Sequence, residues 1–153
     1  IAARHMAERG RGHIINIASL AGIAPIPGLG NYSASKFAVR AWTLALAREL
    51  EPLGVAVTVI CPDAIETPML TKQIDADEAA LTFSGGKALT VGDIEKALFG
   101  PVLEKQPEEY ALPTSRALQA RLAGAFPALS RFVLDKLRRR GARVQKARRG
   151  EGA

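Results

Sequence analysis

HIINIASLAGIAPIPGLGNYSASKFAVRAWTLALARELEPLGVAVTVICP, residues 13–62, is the stretch that decides the fold. At its start, His13 to Ser19 sets Ile14, Ile15 and Ile17 in a short β-branched run, the pattern of a strand buried on both faces. Small residues, Gly and Pro from Ala21 to Gly30 predict a loop. Tyr32 to Glu51 then runs without Gly or Pro, with Phe37 and Leu44 at helical spacing, until Pro52 and Gly54 stop it. Val55 to Cys61 is a second apolar, β-branched run. Strand, helix and strand in that order form a βαβ unit with parallel strands and a right-handed crossover. The fold class is therefore α/β.

Working outward, Ala2 to Arg9 reads as the end of a helix closed by Gly10 and Gly12. Residues 63–89 predict an irregular or helical excursion. Thr90 is placed to cap a helix from Val91 to about Phe99, with Asp93 in its first turn. Glu109 to Leu112 predicts a last short strand. Ser115–Ala125 and Ala128–Arg140 read as helices interrupted at Pro127. The expected organisation is one α/β unit over residues 1–112 and a helical, basic extension over 113–153.

Composition narrows the function classes. No apolar run approaches the ~20 residues that span a bilayer. Cys61 is the only cysteine, which excludes an internal disulfide and a cysteine-based zinc site and makes a reducing cytoplasm the expected compartment. His5 and His13 have no acidic partner at ligand spacing, so no metal site is expected. The net charge of +6 is not spread evenly. Residues 1–130 carry 12 basic and 13 acidic side chains, whereas residues 131–153 carry 9 and 2. Any argument about anionic partners rests on that last segment.

The chemistry is concentrated in N-I-A-S-L-A-G at 16–22 and Y-S-A-S-K at 32–36. Tyr32 and Lys36 lie four apart near the start of a helix and so share one face. Ser19 closes a parallel strand at its carboxyl end, where open α/β sheets place their ligands. Such a trio suits hydride transfer coupled to proton transfer. A free tyrosine titrates near ~10, too high for a base at neutral pH, and a nearby ammonium favours the phenolate. Ser19 is placed to hold a substrate oxygen against the phenol. On spacing alone, Tyr32 and Lys36 read as an ordinary surface or core pair of a helix, as such pairs usually are.

The joint order I-I-N-I-A-S-L-A-G, Y-S-A-S-K-F-A-V and V-T-V-I-C-P-D-A-I-E-T-P resembles the short-chain dehydrogenase/reductase family, most strongly over residues 1 to about 70. The resemblance implies a partial, Rossmann-like, doubly wound parallel sheet. It implies that Tyr32 is the general acid/base, that Ser19 orients the substrate carbonyl or hydroxyl, and that Lys36 both assists Tyr32 and binds the nicotinamide ribose. Pro62, Ile65 and Thr67 match the segment that touches the nicotinamide. The implied cofactor is NAD or NADP, and the implied reaction interconverts a secondary alcohol and a ketone. Family members commonly form homodimers or homotetramers, for which Trp42 and Leu46 on the long helix are candidate contacts. Met69, Leu70, Leu81 and Phe83 occupy the place of the family's substrate loop, either as an apolar lid over a lipophilic substrate or as simple packing.

Three departures from the pattern stand out. Asp63 replaces the glycine that follows the proline. The glycine-rich pyrophosphate turn is missing, since Gly10-x-Gly12 precedes the catalytic strand and follows helix-like sequence. The family's Asn, about 27 residues before Ser19, would lie upstream of Ile1, and Asn16 is read instead as a structural hydrogen bonder. These features are expected of the carboxyl-terminal portion of a longer enzyme, inactive when isolated. The alternative is a truncated, non-catalytic remnant that acts as a binding protein. The terminal segment, ending in Arg138–Arg140, reads either as a solvated extension or as an amphipathic helix that contacts membrane peripherally. Nothing beside it supports a nucleic-acid partner.

Overall fold

The computed structural model describes residues 1–150. The central strand is β2 (Val55–Pro62), flanked in parallel by β1 (Gly12–Ile17) and β3 (Glu109–Leu112), in the order β1-β2-β3. Ile14 lies opposite Val57 and Ile60 opposite Tyr110. The architecture is the expected α/β, partial Rossmann-like sheet. The β-branched run of β2 is fully enclosed, with Val59, Ile60 and Cys61 at 0% exposure. Burial pushes the Cys61 thiol up to about 11, as for a small core residue and not a nucleophile.

β1 departs from expectation. It is half-buried along most of its length and Ile17 is exposed, where a strand enclosed on both faces was predicted. The reason is topological: within the described residues β1 is an edge strand, paired only with β2. Its polar side chains tie it to its neighbours. Asn16 donates to Thr43 Oγ1 (3.1 Å), and His13 Nε2 lies 2.8 Å from Thr58 Oγ1, whose proton goes to the Pro107 carbonyl (2.5 Å). His13 must then supply the proton of its own bond. Burial lowers its pKa in keeping with a neutral ring.

Helix α1 (Ala2–Glu8) precedes β1, and α2 (Gly30–Leu50) crosses from β1 to β2. α2 starts two residues before Tyr32, and its buried positions, Ser33, Thr43, Ala47 and Leu50, face inward. Ala47 and Leu50 join Val55 and Val57 in one apolar cluster, against which Ala3, Met6 and Leu46 pack. Leu46 is therefore core-facing, while Trp42 is 59% exposed.

The 63–89 excursion holds a short helix α3 (Pro68–Lys72) and a 3-10 segment (Asp77–Ser84). α4 (Val91–Ala97) begins with the expected Thr90–Asp93 pair, each side chain bonding the other's backbone N–H. It continues past Phe99 through a wide turn at Gly100-Pro101 into α5 (Leu103–Lys105). Helices α6 (Thr114–Ala125) and α7 (Pro127–Arg149) complete the chain. Pro127 opens α7, as its fixed φ allows at a first helical position, and α7 runs nine residues beyond the expected Arg140.

Glu109 on β3 is clamped by Arg40 of α2 and by Arg121 of α6 (2.9 Å to the latter). Burial opposes its ionisation, but the two guanidiniums prevail and hold its carboxyl below the usual range. Glu109→Gln should cost about 1–3 kcal/mol at pH 7, the worth of hydrogen bonds to charged groups. The ionised pair stabilises fully above the unfolded carboxyl's ~4.3 and is lost as pH falls through the lower folded value. Denaturant unfolding at pH 7 and pH 3 should therefore show a gap between wild type and variant that closes in acid. A gap independent of pH contradicts the clamp.

Candidate active site

The carboxyl ends of β1 and β2 open onto a cavity of about 310 Å³. Ser19, Tyr32 and Lys36 all border it, together with Pro62, Asp63, Ile65 and Thr67. Ser19 follows β1 as the cap of a 3-10 turn (Leu20–Gly22), its Oγ accepting from Ala21 N–H (3.1 Å). Its hydroxyl donates only a long 3.4 Å bond to the Pro62 carbonyl, one readily exchanged for a ligand oxygen. Gly22 lies against α2: a Cβ there would stand 2.6 Å from the Lys36 carbonyl. Its lack of a side chain thus sets the distance between the serine turn and the helix that bears Tyr32 and Lys36. Both of those side chains are half-buried. Lys36 Nζ lies 5.7 Å from the Tyr32 ring centroid and 3.4 Å from the Ile17 carbonyl.

The second strand delivers the other wall. Ile65 forms a parallel bridge with Leu89, built from Glu66 N–H to Leu89 C=O and Leu89 N–H to Ala64 C=O. In that geometry Ile65's own N–H and C=O point away from Leu89. The Thr67 hydroxyl donates to the Ile65 carbonyl (3.2 Å). These groups suit a planar carboxamide, and Lys36 offers a cation for ribose hydroxyls, so the residues present fit the nicotinamide end of a dinucleotide.

Asp63, the departure from the family glycine, has a structural account. Gln106 is the only non-glycine residue with positive φ among those described, so Asp63 sits in ordinary backbone. Its carboxylate accepts from Arg116 Nε of α6 (2.8 Å). Arg116 also donates to Gln119 (3.2 Å) and to Ser84 (3.4 Å). The aspartate thus fastens α6 to the end of β2.

The candidate lid divides. Met69, Leu70 and Leu81 border the cavity, while Phe83 belongs to a core cluster with Leu70 and Ala79. The Arg148 guanidinium lies 5.7 Å from the Phe83 ring centroid. Sequence reasoning missed the outer wall, which comes from Arg116, Gln119, Ala120 and Ala123 of α6 and from Leu134 and Leu137 of α7. The signal was the i, i+4, i+7 recurrence of 116, 120 and 123, a face that had to meet something. Two buried polar atoms of lining residues, Gln73 Oε1 and Thr82 Oγ1, have no partner among the described residues.

α7 itself is packed down, not a solvated extension. Gln145, 2% exposed, donates to the Gln73 and Ala76 carbonyls (3.0 and 2.8 Å). Arg149 pairs with Asp77 (2.7 Å) and Arg148 with Glu66 (2.6 Å), and the Arg148 bond holds the Glu66 carboxyl below its usual range. Among the described residues no cluster of metal-ligating side chains occurs and no helix is long and apolar enough to cross a membrane.

Comparison with known proteins bears on this arrangement. The short chain dehydrogenase family profile matches residues 1–78. A 3-oxoacyl-(acyl-carrier-protein) reductase of Vibrio harveyi is 36% identical over 105 residues, covering 69% of this chain and 43% of that protein. A 3-alpha-(or 20-beta)-hydroxysteroid dehydrogenase of Mycobacterium tuberculosis is 48% identical over 64 residues, covering 42% and 25%. A short-chain dehydrogenase from Sphingobium yanoikuyae, solved in complex with NADPH, superposes with a TM-score of 0.62 at 27% identity, covering 83% of this chain and 48% of that one. The chain spans less than half the length of each of these relatives.

Proposed function

The chain belongs to the short-chain dehydrogenase family, and from that premise we propose that it supplies the proton-handling part of an NAD(P)-dependent oxidoreductase. The reaction interconverts a secondary alcohol and a ketone on a lipophilic substrate. The observation that carries the reading is the meeting of Ser19, Tyr32 and Lys36 on one apolar-walled cavity at the carboxyl edge of the sheet.

Lys36, Pro62, Ile65 and Thr67 would hold the nicotinamide and its ribose, with Tyr32 alongside. The bound cofactor supplies or accepts the hydride. Ser19 Oγ gives up its long bond to Pro62 and donates to the substrate oxygen, fixing it against the phenol. In the reducing direction the Tyr32 phenol passes its proton to that oxygen as the carbonyl carbon gains hydride, leaving an alcohol and a phenolate. In the oxidising direction the phenolate takes the alcohol proton back. Lys36, with its ammonium near the ring, stabilises the charged form electrostatically.

Leu20, Ile26, Leu70, Leu81, Leu134 and Leu137 make much of the remaining wall apolar, which favours a substrate with a hydrocarbon body. Whole-protein assembly as a homodimer or homotetramer would use the exposed Trp42 face of α2. The reading is tested at Ser19. In the whole protein, Ser19→Ala should lower kcat by about 10²-fold, the low end of what a positioned proton-transfer partner contributes, with little change in cofactor affinity. Unchanged kcat across a panel of lipophilic ketones would remove Ser19 from the site.

A further inference from the structure

α7 sorts its cations by face. Positions 134, 137, 141, 145 and 148 recur at three- and four-residue intervals and point inward: Leu134 and Leu137 to the cavity, Gly141 and Gln145 to the Asp77–Ser84 segment, Arg148 to Glu66. On the opposite face, Lys136, Arg139, Arg143 and Lys146 form a second row with the same periodicity, and all four are exposed. The inward Arg148 and Arg149 are ion-paired, whereas none of the outward four makes an ion pair among the described residues. Arg138 and Arg140 are also exposed, and Asp135 is the one acid in α7. Four unneutralised charges held along one rigid face cost self-repulsion, and an external anionic surface relieves it.

The neighbouring helix supplies an apolar component. Leu118, Leu122 and Phe126 recur every four residues along α6 and its end, and are 58, 54 and 60% exposed; Val133, early in α7, is 55% exposed. Helices that lie in a bilayer interface combine cations with exposed large apolar side chains, whereas a nucleic-acid surface asks for cations with stacking or hydrogen-bonding groups. We propose that the outward faces of α6 and α7 seat the protein on an anionic lipid surface, with Lys136, Arg139, Arg143 and Lys146 meeting the headgroups and the α6 stripe entering the interface. The seating stands on its own observations and does not require the enzymatic reading. If both hold, one helix faces lipid on one side and the apolar cavity on the other.

The test is flotation of the whole protein with phosphatidylcholine vesicles, with and without phosphatidylglycerol. Binding should require the anionic lipid and fall as salt rises, because screening shortens to about 3 Å at 1 M. Near an anionic leaflet each Lys or Arg strengthens adsorption roughly fivefold. The quadruple variant K136Q/R139Q/R143Q/K146Q should therefore lose nearly three orders of magnitude, roughly 600-fold, in partitioning, with circular dichroism and melting unchanged because its side chains are unpaired. Leu122→Ser with Phe126→Ser should weaken binding while leaving the salt dependence in place. Should the quadruple variant misfold, the wild-type salt dependence and the α6 variant decide. Equal recovery on neutral and anionic vesicles overturns the proposal, as does salt-independent binding or retention by duplex DNA without flotation.

Discussion

Gly141→Ala is expected to destabilise the protein by about 3 kcal/mol or more, the upper range for forcing an extra carbon into a packed contact. The sign is the informative part. In an exposed helix interior the same change stabilises by about 1 kcal/mol, because glycine loses more backbone entropy than alanine. Here a Cβ on Gly141 would stand 1.8 Å from the Ala80 carbonyl oxygen and 3.1 Å from Ser84 N. Both are backbone atoms, so no rotamer change relieves the clash and α7 must lift.

Lifting α7 also strains the two bonds from buried Gln145 to Gln73 and Ala76, each worth about 1 kcal/mol with a larger penalty if a buried partner is left bare. A loss of 3 kcal/mol corresponds to about a 6–12 °C fall in melting temperature for a domain of this size. Arg143→Ala, two residues on but facing outward, is the control and should leave the melting temperature unchanged. Hydrogen exchange should be fastest, relative to wild type, in α7 and in the Asp77–Ser84 segment that it covers. Thermal melting of the two variants settles the matter: a Gly141→Ala protein as stable as wild type would mean that α7 does not pack where described. Because Leu134 and Leu137 of α7 line the cavity, the same variant should raise KM for a lipophilic substrate more than it lowers kcat.

How far the sequence disclosed this protein depended on which residues carried local chemistry. β2 was legible because Val55 to Cys61 is apolar on both faces, and the sheet encloses it on both. The α4 cap was legible because Thr90 and Asp93 bond each other, through backbone and side chain alike, at a spacing that no distant residue affects. Ser19, Tyr32 and Lys36 were legible as a group through their surrounding motif; the bare four-residue spacing carries little information. β1 read as enclosed because its isoleucines say only what it would bury, not whether a strand stands at its outer edge.

The outer cavity wall was legible only as helix faces in need of a partner. Amphipathic spacing marks an inward face on α6 and α7 but cannot tell which surface receives it. That answer lies in Asp63 meeting Arg116 across 53 residues of sequence and in Gly141 meeting Ala80 across 61. Asp63 illustrates the difficulty. Read alone it is only a departure from the family glycine, and its partner on α6 gives it a role.

The central claim concerns Tyr32. Tyr32→Phe removes the one phenolic oxygen on the cavity and leaves the ring, the helix and the Lys36 contact with the ring face in place. Turnover by the whole protein should fall by about 10³-fold, within the 10²–10⁴ range for loss of a general acid/base. Cofactor affinity should be little altered, because Lys36, Ile65 and Thr67 are untouched. Stability should change little, since the phenolic oxygen has no protein partner among the described hydrogen bonds and the ring remains half-buried. The decisive measurement is the single-turnover rate of NAD(P)H oxidation with a saturating lipophilic ketone, taken side by side for wild type and Tyr32→Phe. A fall of about 10³-fold at unchanged cofactor affinity is the predicted result, and equal rates would contradict the assignment of proton transfer to Tyr32.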